Sequence, residues 1–481
     1  MKSATKKIKL NNIPMYIILC GLFFIAFSML SIIKHDHYLS GYDLSIINQI
    51  TWKYSQLKEP ITTVHAYSFT SIFNDHIEFI YILFSPLYRI FNNALLLIWL
   101  QNIIVCSSGI AVYLIAKNKK INELLALTFI FSYFTFYGVQ NALWSDVHSL
   151  AFGAAFLTWL IYSFEVKNNK LIVIFFLLTI ICKEDMAMFT FLISLIFFLR
   201  DKRKLPLFLM AFSIIYLAAI FFIYFPHFTE DGYRFSNGSN LLSNISIPNL
   251  WNTEEKKQVI FYSLGSFGFL SLGAPLYLIN FMADLGHYFI FGSNVVTSAQ
   301  GLFMHYRITL SILLIWPVII FISKYKKLNT KYTAFYLLIC ACFFQYFLHL
   351  PLSYLTKQWF WTEPLSVSSI NNIIKTIPEN TSIATQVNIS PHLSNRDNIF
   401  TIWPTSKEFA NNSPCGKTTC NWLKWAGKPE FMFVDLSDDW DIRHYLANKE
   451  DFFEAVNNME KTGIITIYKQ EGTTKLYKII Y

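Results

Sequence analysis

The chain has 481 residues, of which 54% are apolar, 14% are charged and 18% are aromatic. This balance is typical of a membrane protein with interfacial aromatic belts. The formal charge is +9, but the excess lies mostly in short lysine-rich loops, so it indicates orientation in a membrane and argues against nucleic-acid binding.

The amino terminus is rich in lysine and precedes apolar residues 14–33, which are long enough to span a bilayer. Because no small-residue cleavage site follows, the sequence predicts a retained anchor with the amino terminus inside. Residues 34–78 are then expected outside the cytoplasm. Residues 77–91 are apolar but hold an acid, a proline and an arginine, so they suit an interfacial or re-entrant helix better than a span.

Lys183, Glu184 and Asp185 interrupt an apolar run whose outer flanks are both basic. Basic flanks stay in the cytoplasm, so the chain is expected to turn outward at these three residues. Neither half, 171–182 or 186–199, reaches the roughly 20 residues of an ordinary span. The turn is therefore expected at membrane depth, where ionisable residues are usually functional. The alternative is a pair of Lys183 and Glu184 that neutralises itself at a hairpin tip.

Placing every lysine-rich loop inside predicts a polytopic helical protein of about eleven spans, with the carboxyl terminus outside. Besides the anchor and the two hairpin halves, the predicted spans are residues 94–116, 124–138, 149–164, 205–225, 259–272, 275–291, 306–322 and 333–350. Residues 1–350 thus form the predicted transmembrane domain.

Residues 351–481 differ in character and are predicted to form a small extracytoplasmic α/β domain. The strand-length apolar runs are 381–387, 431–435, 463–468 and 475–480, and the amphipathic helical stretches are 368–377 and 451–459. Cys415 and Cys420 are the only cysteines of this domain. An outside location permits a disulfide between them; two free thiols are the alternative.

Ionisable residues of four or more segments collect on the predicted outer face, as a site at the outer leaflet requires. They are Asp43, Asp75, His76, Asp146, His148, Lys183, Glu184, His305 and Arg307. Simpler interpretations exist, because Asp43 and Asp75 suit helix caps and the histidines suit interfacial positions. All eleven histidines fall outside or near outer span ends, which leaves a divalent metal open, although lysine-filled inner loops explain the same bias. We assign no metal ligand.

Several strings of the chain resemble a family of uncharacterised bacterial and archaeal predicted membrane proteins. They are Gly-Tyr-Asp-Leu-Ser-Ile-Ile-Asn-Gln at 41–49, Asn-Asp-His at 74–76, Ser-Pro-Leu-Tyr at 85–88, Asp-Val-His at 146–148, Lys-Glu-Asp at 183–185, His-Tyr at 305–306 and Pro-His-Leu-Ser-Asn-Arg at 391–396. That family is similar to the GT-C membrane glycosyltransferases, such as protein mannosyltransferases and the lipid A aminoarabinose transferase.

The resemblance implies transfer of a sugar from a polyprenyl-phosphate carrier to an envelope acceptor at the outer face of the membrane. Asp43 matches the acid of the first outer loop that acts as base, and Lys183 resembles the cation that meets the lipid phosphate. Several GT-C families have paired acids in that loop, whereas Leu44 follows Asp43 here. Whether Asp75 or Asp146 supplies the second carboxylate stays open.

A shared cavity is therefore expected for Asp43 and Lys183 at the outer leaflet of a bacterial cytoplasmic membrane. His305 and Arg307 are expected to assist Lys183 with the donor phosphate, and the remaining candidates to line the cavity: His76, His148 and Glu184. The predicted partners are membrane lipids, the lipid-linked sugar and an envelope acceptor. The competing interpretations are a lipid or solute transporter and a non-catalytic scaffold in envelope polysaccharide assembly.

Overall fold

The computed structural model describes residues 14–64, 70–74, 76–228, 247–289, 301–404, 423–424, 427–437 and 449–481, and most of these residues are helical. They form two compact units. The first contains Leu100–Ser145, Ser149–Thr356 and the described residues up to Leu30; the second contains Ser31–Trp99, Asp146–His148 and the described part of Lys357–Tyr481. The boundary predicted between residues 350 and 351 divides a transmembrane domain from an extracytoplasmic domain, and it stays a prediction.

The α-helices of the described residues are α1 (Met15–Asp36), α2 (Tyr42–Ser55), α3 (Ile80–Tyr88), α4 (Leu95–Asn118), α5 (Glu123–Thr135), α6 (Tyr137–Trp144), α7 (Ser149–Glu165), α8 (Asn169–Ile180), α9 (Met186–Asp201), α10 (Lys204–Ala219), α11 (Phe225–Phe228), α12 (Glu254–Ser266), α13 (Ile279–Phe289), α14 (Thr309–Lys324), α15 (Lys331–Phe347), α16 (Gln358–Trp361), α17 (Val367–Ile374) and α18 (Lys449–Lys461). The strands are β1 (Ile61–Thr62), β2 (Thr70–Ser71), β3 (Ile383–Thr385), β4 (Ile399–Thr401), β5 (Trp403–Pro404), β6 (Leu423–Lys424), β7 (Phe431–Asp435), β8 (Ile465–Glu471) and β9 (Thr474–Ile479).

Four helical stretches of the described chain are long and apolar enough to cross a membrane: Met15–Asp36, Leu95–Asn118, Lys204–Phe228 and His305–Lys324. The helices α5, α7 and α8 are apolar and shorter. The prediction of a helical membrane protein is confirmed in this form. The larger number of about eleven spans stays a prediction.

The backbone turns inside two of the predicted spans. Residues 259–272 hold the end of α12, and residues 275–291 hold α13. Phe269 in a left-handed conformation (φ 57°) and 3-10 turns at Leu270–Gly273 and Pro275–Leu278 separate the two helices. Residues 290 and 291 lie outside the described residues, and both spans stay predictions.

Residues 124–138, predicted as one span, are divided by a break at Phe136, whose backbone is extended between α5 and α6. The start of α6 packs closely on the backbone at Arg307. A Cβ atom at Gly138 would lie 2.1 Å from the carbonyl oxygen of Arg307, so this position tolerates only glycine without a shift of the chain. The break and the glycine together fix residue 307 against α6.

Four lysine-rich loops meet at one end of the first unit. Glu165 lies 2.6 Å from the ammonium of Lys119 and 3.0 Å from the guanidinium of Arg200. Asn329 connects the loop at residues 324–331 to the loop at residues 117–120, since its side-chain amide donates to the carbonyl oxygen of Lys120 at 3.1 Å. The buried carboxylate of Glu165 thus neutralises cations that the hydropathy pattern places on one side.

The second unit contains a five-stranded sheet in the order β4-β3-β7-β9-β8. Strand β3 is parallel to β4 and β7, whereas β9 is antiparallel to β7 and β8. Helix α18 covers one face, where Phe452 and Val456 pack with Met432 and Tyr477 in a buried core. The predicted strands correspond to β3, β7, β8 and β9, and the predicted helices to α17 and α18. The predicted α/β character is therefore confirmed, whereas β4 was not predicted.

Candidate functional site

Asp43 lies in the first turn of α2 in the second unit. The helix begins at Tyr42, and Gly41 occupies the N-cap position without a side-chain cap, so Asp43 is not the cap residue that one interpretation of the sequence favoured. Its side chain is 50% exposed, and its carboxylate lies 3.9 Å from Nε2 of His148. The carboxylate of Asp43 is thus accessible to water and has an imidazole beside it.

Asp146 has a different environment in the same unit. Its side chain is only 9% exposed, and its carboxylate accepts hydrogen bonds from Nζ of Lys34 at 2.7 Å and from the backbone N–H of Gly41 at 2.8 Å. Burial raises the pKa of this carboxyl, but the nearby Lys34 and the hydrogen bonds outweigh burial, so the pKa lies below its ordinary value. Asp146 is thus a charged anchor for the residue that precedes α2.

Three of the strings that carry the family resemblance, residues 41–49, 85–88 and 391–396, are joined by hydrogen bonds. The amide of Asn48 donates to Oγ of Ser394 at 2.7 Å and accepts from the hydroxyl of Tyr88 at 2.7 Å. The amide of Gln49 donates to the carbonyl oxygens of Arg396 and Asp397, each at 3.1 Å. These contacts hold α2 against residues 391–397, so much of the sequence signature positions the helix that carries Asp43.

His392 is buried in a stack of rings. Its imidazole centroid lies 4.0 Å from that of His35 and 4.1 Å from the ring of Tyr38. Nε2 of His392 donates to the carbonyl oxygen of His35 at 3.1 Å. Burial, and then the neighbouring imidazole, hold the pKa of His392 well below its ordinary value, so this histidine is a neutral structural group near neutral pH.

The structure gives little detail on His76 and Asp75, the candidates that precede α3. His76 lies in the loop before α3 and is partly buried. Asp75 lies outside the described residues, as do Cys415 and Cys420. Their predicted roles, as a second carboxylate and as a disulfide, stay predictions.

The turn that carries Lys183 lies between α8 and α9 in the first unit, and all three ionisable residues are buried. The ammonium of Lys183 lies 3.5 Å from the carboxylate of Asp185. The other oxygen of Asp185 lies 3.3 Å from Nε2 of His287 on α13. The observed partner of the lysine is thus Asp185, and this carboxylate links the turn to α13.

Aromatic rings connect Lys183 to the second cation of the first unit. The ammonium lies 5.4 Å from the ring centroid of Tyr306, which is 5.0 Å from the ring of Tyr288. The guanidinium carbon of Arg307 lies 4.8 Å from the ring centroid of Tyr288. Such cation–π contacts are strongest where water is excluded. The two cations therefore lie along one aromatic cluster, and the ring of His305 adjoins it at 4.0 Å from Tyr306.

Arg307 itself is completely buried and lies beside an acid. Its Nη1 is 3.6 Å from Oδ2 of Asp284, and both side chains are 0% exposed. Oδ1 of Asp284 accepts a hydrogen bond from the hydroxyl of Thr309 at 2.8 Å. The predicted phosphate-binding residues Lys183, His305 and Arg307 are thus brought together along one aromatic cluster. Lys183 lies beside the carboxylate of Asp185, and Arg307 lies beside that of Asp284.

Some residues of these clusters were not found from the sequence: Lys34, Asp284, His287 and Tyr288. Asp185 and Tyr306 were noted in the sequence strings, but no role was assigned to them. Asp284 and His287 lie in residues 275–291, whose mean hydropathy hides them. A usable signal was their spacing, because polar residues at helical intervals within an apolar stretch mark a buried polar face. Among the described residues, no group of three or more His, Cys, Asp or Glu side chains is placed to hold a metal ion.

Apolar helices of spanning length, buried ionisable clusters and a small α/β sheet define a helical membrane protein. Within that class, the chain belongs to the DUF2079 family of predicted membrane proteins, which it matches over residues 34–420. No functionally curated protein matches the chain. The family resemblance predicted from the motifs is confirmed, and the family has no established function.

The predicted similarity to GT-C glycosyltransferases is not part of this family match. Asp43 belongs to the second unit and Lys183 to the first. Their predicted shared cavity therefore stays a prediction.

Proposed function

We propose that the protein transfers a sugar from a polyprenyl-phosphate carrier to an envelope acceptor at the outer face of a bacterial cytoplasmic membrane. The observation that supports it best is the environment of Lys183, a buried cation between apolar helices with aromatic neighbours. Its 3.5 Å separation from Asp185 exceeds the roughly 2.7–2.9 Å of a tight charge-assisted hydrogen bond. Since an ammonium has three donors, it has capacity for a lipid phosphate.

In this proposal Lys183 binds the donor phosphate and stabilises the charge that develops on the leaving group. A fixed cation in a low-dielectric site is worth far more than the same cation in water. His305 lies at the edge of the same aromatic cluster and suits a second phosphate contact. Arg307 is 0% exposed and packs on the ring of Tyr288, so in this proposal it holds the aromatic rings in position. The prenyl chain would lie among apolar helices of the membrane.

Asp43 is proposed as the base that accepts the proton of the attacking hydroxyl. General base catalysis contributes typically about 10²–10⁴ in rate. Asp43 is half exposed and has His148 beside it, whereas Asp146 is buried and paired with Lys34. We therefore assign the base role to Asp43 and a positioning role to Asp146. The roles predicted for His76 and Glu184 stay predictions.

The proposed orientation has the amino terminus inside and residues 351–481 outside. It is supported by the meeting of the lysine-rich loops at Glu165 and Asn329. Basic loops stay cytoplasmic, and cations that share one carboxylate lie on one side of the protein. The chain then exposes the opposite ends of its helices to the outer leaflet, where lipid-linked sugars are used.

The test is a turnover assay with purified protein in nanodiscs that contain lipid-linked sugars extracted from bacterial membranes. We expect release or transfer of the sugar by the unmodified protein, almost none by Asp43→Asn, and reduced donor use by Lys183→Ala. The matched controls are Asp397→Asn, an exposed acid of the same unit, and Lys256→Ala, a buried lysine of the same unit as Lys183. Equal loss in controls and test variants would refute the assigned roles.

A transporter is the second candidate, because buried ionisable residues in a membrane protein suit transport as well as catalysis. The buried Asp284 and Arg307 are the observation that favours it. Reconstitution in liposomes separates the two functions. Movement of the intact lipid-linked sugar across the bilayer, without cleavage of the sugar–phosphate bond, would replace the transferase proposal with the transporter.

A further inference from the structure

Helix α13 carries a polar face that neither the motifs nor the proposed phosphate site explains. Asn280, Asp284 and His287 follow one another at intervals of four and three residues, so they lie along one side of the helix. Asn280 and Asp284 are 0% exposed. A buried polar face among apolar helices is costly and marks a functional site in membrane proteins.

Asn280 is the most informative member of this face. Neither its amide oxygen nor its amide nitrogen has a hydrogen-bond partner among the described residues. Oδ2 of Asp284 also lacks a hydrogen bond there, while Oδ1 accepts one from Thr309. Buried polar atoms of native proteins almost always have partners, so these atoms indicate a polar ligand that completes the site.

The polar face is continuous with the phosphate end of the cluster. His287 shares the carboxylate of Asp185 with Lys183, and Asn280 lies seven residues earlier on the same helix. With a rise of about 1.5 Å per residue, the face extends about 10 Å away from His287. A group attached directly to a phosphate at Lys183 would therefore lie beside this face.

The chemistry of the face distinguishes the group that it fits. Arg307 and Asp284 lie 3.6 Å apart with both side chains 0% exposed, so the pair has no net charge and this end favours a neutral group over an anion. An amide donates and accepts, and a carboxylate accepts strongly, which matches adjacent hydroxyl groups that each donate and accept. The rings of Tyr288 and Tyr306 add flat apolar surfaces next to these polar atoms.

From this juxtaposition we infer that Asn280 and Asp284 bind the sugar of the lipid-linked donor, a neutral group rich in hydroxyls, while Lys183 binds its phosphate. This inference rests on the proposed function and names the residues that select the sugar. In this inference Asn280 determines which sugar is bound and takes no part in the proton transfer. Asp284 is placed to accept from a sugar hydroxyl through Oδ2 and is held by Thr309 through Oδ1.

The experiment compares binding of four probes to full-length protein in nanodiscs: undecaprenyl phosphate, and the same lipid linked to glucose, mannose or galactose. For the unmodified protein we expect at least one of the sugar-bearing lipids to bind about tenfold tighter than undecaprenyl phosphate, a difference of about 1.4 kcal/mol in binding free energy. Asn280→Leu should remove that difference and leave the affinity for undecaprenyl phosphate within about twofold. Asn102→Leu, which replaces another buried asparagine of the first unit, should keep the difference.

Stability measurements separate the inference from a structural role. Because the amide of Asn280 has no described partner to lose, Asn280→Leu should unfold at the same temperature as the unmodified protein or higher. If this variant does not fold, Asn280→Ala serves in its place, and the failure of both would show a structural residue and overturn the inference.

The remaining outcomes are also decisive. Retention of the sugar preference by Asn280→Leu, or equal binding of all four lipids by the unmodified protein, would overturn the sugar site while the phosphate site of the proposed function survives. Absence of binding to every prenyl phosphate, with or without sugar, would instead refute the proposed function itself.

Discussion

The ion pair of Lys34 and Asp146 should be a strong local determinant of stability in the second unit. Both side chains are about one-tenth exposed, and their charged atoms are 2.7 Å apart. Removing one partner of a buried pair leaves the other charge without compensation, which costs about 3–5 kcal/mol. Asn tolerates the left-handed backbone that residue 146 adopts (φ 60°), so Asp146→Asn should cost about 3 kcal/mol, at the lower end of that range.

A double-mutant cycle measures this coupling. Lys34→Met should be comparably destabilising, because it removes the ammonium that lies 2.7 Å from the buried Asp146 carboxylate. The double variant has no uncompensated charge, so it should be more stable than the sum of the single losses predicts, by about 2 kcal/mol or more. The assay is unfolding in mild detergent, followed by tryptophan fluorescence and by proteolysis of the second unit.

The matched control is the pair of Lys58 and Asp397, which is equally short at 2.6 Å but 44% and 55% exposed. The corresponding cycle, with Lys58→Met and Asp397→Asn, should show a coupling of at most about 1 kcal/mol. Similar couplings for the two pairs would refute the argument from burial.

The pH dependence provides a second readout of the same pair. The pKa of Asp146 lies below its ordinary value of 3.8 in the folded protein. Its stabilising contribution is therefore complete above that value and is lost as the pH falls further, through the folded pKa. Asp146→Asn should remove this part of the acid sensitivity.

Four further outcomes are expected. Lys183→Arg should recover part of the donor use that Lys183→Ala loses, because a planar guanidinium keeps the charge but not the point geometry; steady-state kinetics with varied donor measure it, and no recovery would count against a phosphate contact. His392→Phe should reduce the stability that the protein loses as the pH falls below 6.5. The depressed pKa of His392 lets only the unfolded chain take up a proton in that range; an unchanged pH profile would contradict this expectation. An alkaline phosphatase fusion after Tyr481 should be active and a fluorescent-protein fusion dark, and the reverse would refute the orientation. Cys415 and Cys420 should resist alkylation until reduced, with a disulfide contribution on the order of 2–3 kcal/mol; labelling of both without reductant would exclude the bond.

Sequence patterns predicted the elements whose signal is local and continuous. Residues 431–435 form β7 with the predicted bounds, because a buried strand between two neighbours is a short continuous apolar run. Strand β4 was missed, since its three residues follow a polar string and are too few for a periodic pattern. The polar face of the 275–291 stretch was also missed, because average hydropathy does not register that Asn280 and Asp284 share one side of a helix.

The candidate site was predictable in its residue types but not in its pairings. Asp43, Asp146 and Lys183 were found as isolated charges in outer or interrupted segments. Lys34 was not found as the partner of Asp146, because the two lie 112 residues apart and one sequence does not reveal such a contact. The same limit explains why the sequence did not show the bonds of Asp146 to Lys34 and Gly41, which support the positioning role that we propose for it.

The hydrogen bonds between α2 and residues 391–397 have a consequence for synthesis of the protein. The amide of Gln49 pairs with a carbonyl oxygen 348 residues later in the chain. At roughly 5–20 residues per second, about 17–70 s separate the emergence of the two segments from the ribosome. Until then the side-chain amides of Asn48 and Gln49 lack their hydrogen bonds to Ser394, Arg396 and Asp397. Chains that stop before residue 397 should therefore be targets for quality-control proteases.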